Sequence, residues 1–329
     1  MNILEYCKNH VVILDGGMGS LLMAEGMKPG ENTASWALSH PDVIKRIHMD
    51  YYRAGSDAVL SDTFAANIFS YPQEELEKVL GAACSLAASA RDEMAETLRS
   101  CYTNAPMEWK DSRQADTAGD DVLDSCESVN GRCCFWGFDI GPLGQLLEPF
   151  GDLEYDEAVD AFAVNVRIAE RYAPDFYFIE TMDDKAQTLA ALQAVKENSE
   201  RPVFVSNTYD ERGRLFTGAA PEEMIEAVEA GGADALGINC SFGPAGLMPI
   251  LSIYAEKAHH PVFFKPNAGI PHLLNGKAVY DLTPEEFAKE VAPALEMGVR
   301  MVGGCCGTTP EYIEAVARRT RSDSSDASR

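Results

Sequence analysis

Short runs of β-branched and aromatic residues recur along this chain. Each is followed by a polar turn and then by a stretch with helical spacing. The first run, residues 11–14, ends in Asp15-Gly16-Gly17-Met18-Gly19. Between Pro41 and Ala54, Val43, Ile47 and Tyr51 mark one helical face, and Gly55 follows where a helix C-terminus favours glycine. The pattern predicts a second strand over 57–64 and an alanine-rich helix over 73–98. Further strands are predicted over 135–140, 176–181, 202–207, 235–240, 262–267 and 300–304. Helices are predicted over 156–172, 183–198, 221–230 and 247–258, with two more opening near Thr283 and at Pro310. Pro221 and Pro284 fall in first turns, where a missing N–H costs least.

That pattern makes eight strand–helix units. Their strands read as continuous apolar runs, as strands buried on both faces do. The expected fold is a (β/α)8 TIM barrel. The alternative, an open doubly wound sheet, calls for Gly-x-Gly-x-x-Gly after the first strand, and Gly16-Gly17-Met18-Gly19 does not fit it. Residues 101–133 are polar, acidic and aperiodic, and read as a surface insertion or mobile loop. From Arg321 the chain is rich in Ser and Asp. The expected organisation is one barrel domain over 1–320 and a disordered tail over 321–329.

Composition narrows the partners. The 329 residues are 46% hydrophobic and carry a net charge of −25. Such a surface repels nucleic acid and anionic membranes. No apolar run approaches the roughly 18 residues that a membrane span needs. The N-terminus lacks the order of a secretory signal, so a cytoplasmic location is expected. The nine cysteines are then expected to be reduced, and their odd number and irregular spacing disfavour a disulfide framework.

A barrel of this type works at the C-terminal ends of its strands. Those ends supply Asp15, Gly17 and Met18; Asp62, Thr63 and Asn67; Asp139; Glu180 and Thr181; Ser206 and Asn207; Asn239 and Cys240; Asn267; and Cys305 and Cys306. The other six cysteines fall elsewhere. Cys240 alone reads as a small buried hydrophobe. Joined by the glycine-flanked Cys305-Cys306 pair, with strands six and eight either side of strand seven, it reads as part of a three-sulfur metal site. Neighbouring residues of a strand face opposite ways, so both members of the pair can serve only where the chain turns. Gly303, Gly304 and Gly307 permit that turn. Sulfur ligands favour zinc, and three protein ligands leave a fourth position for substrate. Three thiolates make a weak Lewis acid, suited to binding and activating one more thiol.

At this point the motifs Leu14-Asp15-Gly16-Gly17-Met18-Gly19, Asp62-Thr63-Phe64, Asp139-Ile140-Gly141-Pro142, Ile179-Glu180-Thr181-Met182, Gly237-Ile238-Asn239-Cys240, Lys265-Pro266-Asn267-Ala268-Gly269 and Gly303-Gly304-Cys305-Cys306-Gly307 can be taken together. In this order the chain resembles the homocysteine S-methyltransferase family, and within it the homocysteine-binding zinc barrel of cobalamin-dependent methionine synthase. The resemblance implies Cys240, Cys305 and Cys306 as zinc ligands. It implies that Glu180, Asp15 and the backbone around Gly17-Met18 hold the amino and carboxylate groups of homocysteine, with Thr63 among the substrate contacts. It implies that Asn267 can take the fourth zinc position when substrate is absent.

The implied activity is methyl transfer to the homocysteine thiolate, forming methionine. The relatives commonly carry Asn-Thr-Phe where this chain has Asp62-Thr63-Phe64. Folate, cobalamin and activation modules do not follow the barrel here, so the expected donor is a separate methyl-corrinoid protein. S-methylmethionine or a betaine as donor, another small thiol as acceptor, and a non-catalytic zinc- or thiol-binding barrel are the alternatives.

Overall fold

The computed structural model describes residues 1–103, 132–274 and 277–326. Eight parallel strands form the barrel: β1 (Val12–Ile13), β2 (Ala58–Leu60), β3 (Phe135–Ile140), β4 (Phe176–Met182), β5 (Val203–Asn207), β6 (Ala235–Cys240), β7 (Val262–Pro266) and β10 (Met301–Val302). They pair in the order β1-β10-β7-β6-β5-β4-β3-β2. Strand β7 therefore lies between β6 and β10, as the TIM-barrel reading requires.

Side chains close the remaining seam between β1 and β2. Asp57 Oδ2 accepts the Ile13 amide at 2.9 Å, and Asp15 Oδ2 accepts the Leu60 amide at 2.7 Å. The Asp57 amide donates to the Ile13 carbonyl between them.

Inside the barrel the apolar strand positions fill the space. Phe176, Phe178, Phe204 and Phe263 are fully buried. Phe176 stacks on Phe204, and Phe178 tilts against Phe263, each pair with ring centroids 4.8 Å apart. The barrel is a packed core with a floor, so only its C-terminal mouth can hold a ligand. A larger apolar layer lies between the strands and the surrounding helices.

Several elements differ from the sequence expectation. An antiparallel hairpin, β8 (His272–Leu274) and β9 (Lys277–Val279), follows β7. Its strands are too short for a period-2 signal to stand out. A helix over Met18–Ala24 follows β1 directly. The helix expected to end near 98 runs over Gln73–Thr103, so 101–103 are helical rather than part of an insertion. At the other end, Cys133 is buried inside the barrel and Cys134 against its outer layer. That pair alternates faces as strand residues do. The rest of the expected insertion, 104–131, lies outside the described residues.

The last helix runs over Pro310–Asp326, past the expected start of a disordered tail. Arg321 donates to the carbonyl of Gly55 at 2.9 Å, which anchors that helix to the end of the Pro41–Ala54 helix. Residues 327–329 lie outside the described residues. Among the described residues no helix is long and apolar enough to cross a membrane.

Candidate metal and substrate site

Strand β6 ends at Cys240 in a left-handed backbone conformation (φ 61°), and Ser241 continues it (φ 57°). Such values are costly for residues with a side chain and persist where surrounding structure enforces them. Here the Phe242 amide closes onto the Cys240 carbonyl at 2.7 Å. Thr181, at the end of β4, is left-handed too (φ 60°).

The Cys305-Cys306 pair lies just beyond β10 in a tight turn. Thr308 closes it by donating from its amide (3.1 Å) and its hydroxyl (2.6 Å) to the Cys305 carbonyl. Gly307 supplies the positive φ (81°) that this third turn position needs. The turn is what lets adjacent cysteines face one point. The three Sγ atoms of Cys240, Cys305 and Cys306 lie within 4.8 Å of one another, with Cys240 and Cys306 4.0 Å apart. Among the described residues they form the one group able to hold a metal ion.

A tetrahedral zinc with bonds near 2.3 Å needs its sulfurs about 3.8 Å apart, so the cluster fits with sub-ångström adjustment. Hydrogen bonding among the three sulfurs pushes the Cys240 pKa far down and holds Cys305 well above the usual thiol range.

Beside the sulfurs lies a buried cation. Lys265, near the end of β7, donates to Asp15 Oδ1 at 2.9 Å and lies 3.7 Å from Glu180 Oε2. Its Nζ sits 5.1 Å from the centre of the Phe178 ring on the barrel floor. Burial works against its charge, but Asp15 and Glu180 outweigh burial and keep it protonated. Burial raises the Glu180 pKa, with Lys265 opposing.

Asn239 joins this corner to the sulfurs. Its Oδ1 accepts from the Thr181 amide (3.1 Å) and the Ser206 hydroxyl (2.6 Å). Its Nδ2 donates to Thr181 Oγ1 (2.8 Å) and reaches Glu180 Oε2 (3.4 Å) and Cys305 Sγ (3.7 Å).

A cavity of about 750 Å³ opens over these groups. Asp15, Gly17, Met18, Glu180 and all three cysteines line it, as the sequence reading placed them. Two expected contacts do not line it. The Thr63 hydroxyl is spent on the Asp139 carbonyl at 2.7 Å, which fixes β2 against β3. Asn267 Oδ1 accepts the Cys306 amide at 3.1 Å, and its side chain also hydrogen-bonds the Cys240 thiol, so this residue stands against the sulfur cluster and braces the cysteine turn.

Asp15 and Gly17 also have internal partners. Both Asp15 oxygens are bonded, and the Gly17 amide donates to Thr308. Asn67 accepts the Phe69 amide in its own loop and donates to the Leu143 carbonyl after β3, and Asn207 donates to Thr188 on the helix before its strand. Lys265, Asn239 and Tyr280, which lines the cavity beside the cysteines, carried no assigned role in the sequence. The signal for Lys265 was a charge inside the apolar run of residues 262–266.

Fold and site together define a TIM barrel with three convergent thiols beside a buried lysine–carboxylate group at its mouth. The chain belongs to the homocysteine S-methyltransferase family, whose model matches residues 12–320. Methionine synthase of Mycobacterium tuberculosis is 30% identical over 332 aligned positions, which cover 96% of this chain and 25% of that protein. The Mycobacterium leprae methionine synthase is 29% identical with the same coverage. The chain thus spans about a quarter of the length of these relatives. The metallated form of the homocysteine methyltransferase MmuM from Escherichia coli shares the fold, with a TM-score of 0.73 at 19% identity, covering 95% of this chain and 97% of that one.

Proposed function

We propose that this barrel is a zinc-dependent methyltransferase that uses homocysteine as acceptor and forms methionine. The observation that carries the reading is the convergence of three sulfurs on one point of a cavity that also holds Lys265, Asp15 and Glu180. Cys240, Cys305 and Cys306 would hold the zinc, which supplies a position for a substrate thiol and lowers the pKa of that thiol.

The chain's own residues do the rest. Glu180 has acceptor capacity left beside Lys265 and can take the ammonium of the amino acid. Asp15 is committed to Lys265 and Leu60, so it acts through the charge it fixes there. Lys265 is a buried cation facing this corner and can meet a substrate carboxylate. Asn239 holds Glu180 and Cys305 in fixed relation, so thiol and ammonium are bound at a set separation. Holding the thiol in line with an incoming methyl group is the main catalytic contribution of such a site.

The donor in this reading is a methyl-corrinoid carried by another protein or domain. Exposed apolar side chains stand on the connections that leave the C-terminal ends of five strands, Met23, Phe69, Phe150, Phe216 and Ile270, and Met23 lines the cavity. Apolar surface gathered at one rim suits a protein partner. The test is methyl transfer by the zinc-loaded protein, with homocysteine or other small thiols as acceptor and a methyl-corrinoid protein, S-methylmethionine or betaine as donor. Methionine formed from the corrinoid donor supports the reading. No methylated thiol with any donor would leave a non-catalytic zinc- or thiol-binding barrel. A Cys306→Ser variant that keeps full zinc content and activity would overturn the metal assignment.

A further inference from the structure

Each sulfur of the cluster has a side-chain partner on a different element. Asn267, just after β7, hydrogen-bonds Cys240. Asn239 of β6 reaches Cys305 Sγ at 3.7 Å. The third partner comes from outside the barrel strands. Tyr280, the residue after the β8–β9 hairpin, lines the cavity and hydrogen-bonds the Cys306 thiol. Cys306 is the most exposed of the three cysteines, so it is the ligand that gains most from a fixed donor.

Close packing seats the tyrosine there. A Cβ added at Gly307 would collide with the Tyr280 ring, so the ring lies against the backbone of the cysteine turn. The chain on its C-terminal side is tied to the same turn. The Ala268 amide donates to the Cys306 carbonyl at 3.0 Å, and the Leu282 amide donates to the Ala268 carbonyl at 3.2 Å. Tyr312 of the last helix donates to the Leu282 carbonyl. On the hairpin, His272 pairs with Asp281 at 2.9 Å. These contacts run from the cysteine turn back to the tyrosine, so phenol and sulfur are held in fixed relation.

A thiolate bound to a metal carries no proton, while a phenol keeps its own up to about pH 10. In the loaded site the Tyr280 hydroxyl is therefore the donor and Cys306 Sγ the acceptor. Three thiolates on one zinc leave a net charge of about −1, which makes a weak Lewis acid. A hydrogen bond to a ligand sulfur withdraws electron density from it, so that sulfur gives less to the metal. The metal then draws more from the group in its fourth position, and a thiol bound there loses its proton more readily.

We propose that Tyr280 is a positioning residue of the metal centre: its hydroxyl donates to Cys306 Sγ and thereby sets how strongly the bound metal activates a substrate thiol. The proposal rests on the zinc reading of the three cysteines. The experiment loads the full chain with cobalt(II) in place of zinc and compares wild type, Tyr280→Phe and Tyr280→Leu at equal metal content. The Phe variant removes the hydroxyl and keeps the ring, and the Leu variant removes both. Thiolate-to-cobalt charge-transfer bands report the electron density on the sulfurs. The lowest-energy band should move to longer wavelength in the Phe variant, because Cys306 regains electron density. Homocysteine binding, read from the same spectrum across pH, should set in at higher pH in that variant. The Leu variant should show both changes and also melt at a lower temperature. The proposal is overturned if the Phe variant matches wild type in band position or in the homocysteine profile. A packing role alone would give that result, with only the Leu variant altered. A wild type that takes up cobalt without thiolate bands refutes the metal reading itself, and the proposal with it.

Discussion

Replacing Asp62 by asparagine should stabilise the protein at pH 8 and leave its stability nearly unchanged at pH 4. Burial lifts the Asp62 carboxyl from the ordinary 3.8 to about 7, against a hydrogen bond from Thr33. Between those values the folded protein keeps a proton that the unfolded chain has released. Stability therefore falls as pH rises through that window, and the full penalty is present above about pH 7. At 1.36 kcal/mol per pH unit the ionised form is disfavoured by roughly 4 kcal/mol. Asparagine has no charge to bury. Its amide replaces an oxygen that is already unpartnered, so the polar cost is similar in both proteins.

The gain should grow from near zero at pH 4 to about 2–4 kcal/mol at pH 8. Burial also raises the carboxyls of Asp57 and Asp175, which are present in both proteins and cancel in the difference; Asp139, raised chiefly by burial and Glu180 and in part by Asp62, loses the Asp62 contribution in the variant, which adds to the gain at high pH. Urea unfolding of wild type and variant at pH 4, 6 and 8, with metal content held equal, measures this directly. A variant whose advantage is the same at all three values, or which is less stable at pH 8, would refute the account of Asp62 as a buried, uncompensated acid.

Three further outcomes follow from the same geometry. Lys265→Met should destabilise the protein by about 3–5 kcal/mol in urea unfolding, because Asp15 and Glu180 would be left buried without their cation. Asn267→Ala should leave the fold intact but weaken zinc affinity about 10- to 100-fold in a competitive chelator titration, because the Cys306 amide loses its brace. Gly307→Ala should cost at least about 1 kcal/mol and lower zinc affinity, since φ is 81° and the added Cβ would meet the Tyr280 ring; thermal melts with and without zinc check both effects.

The barrel was legible because its strands are buried on both faces. Phe135–Ile140 and Ala235–Cys240 were predicted with the bounds they have, since continuous apolar runs bracketed by turns leave little choice of register. The hairpin after β7 was not legible, because three-residue strands carry too short a pattern. The continuation of the last helix to Asp326 was hidden by its serine- and aspartate-rich composition, while the contact from Arg321 to Gly55 that docks it links positions far apart in sequence. The sulfurs were legible as strand-end residues of one type. The duty of Thr63 was not, because its hydroxyl goes to a neighbouring strand rather than to the cavity, and the bond from the Cys306 amide to Asn267 depends on a turn that the sequence does not display.

Asn239 shows why residue type alone could not settle the site. An asparagine at a strand end reads equally as a turn former, a cap or a ligand contact. In the barrel it is fully buried, and its amide must find partners on both sides. Its oxygen takes the Thr181 amide and the Ser206 hydroxyl, while its nitrogen serves Thr181, Glu180 and Cys305. The left-handed conformations at Thr181, Cys240 and Ser241 lie at the ends of β4 and β6, which this amide ties to each other and to β5. Relaxing either backbone would pull a partner away from Asn239 and leave a buried polar group unpaired, at a cost comparable to the strain itself. The strained turns and the buried amide therefore hold each other in place, and what they fix is the separation between the sulfur cluster and the carboxylate corner.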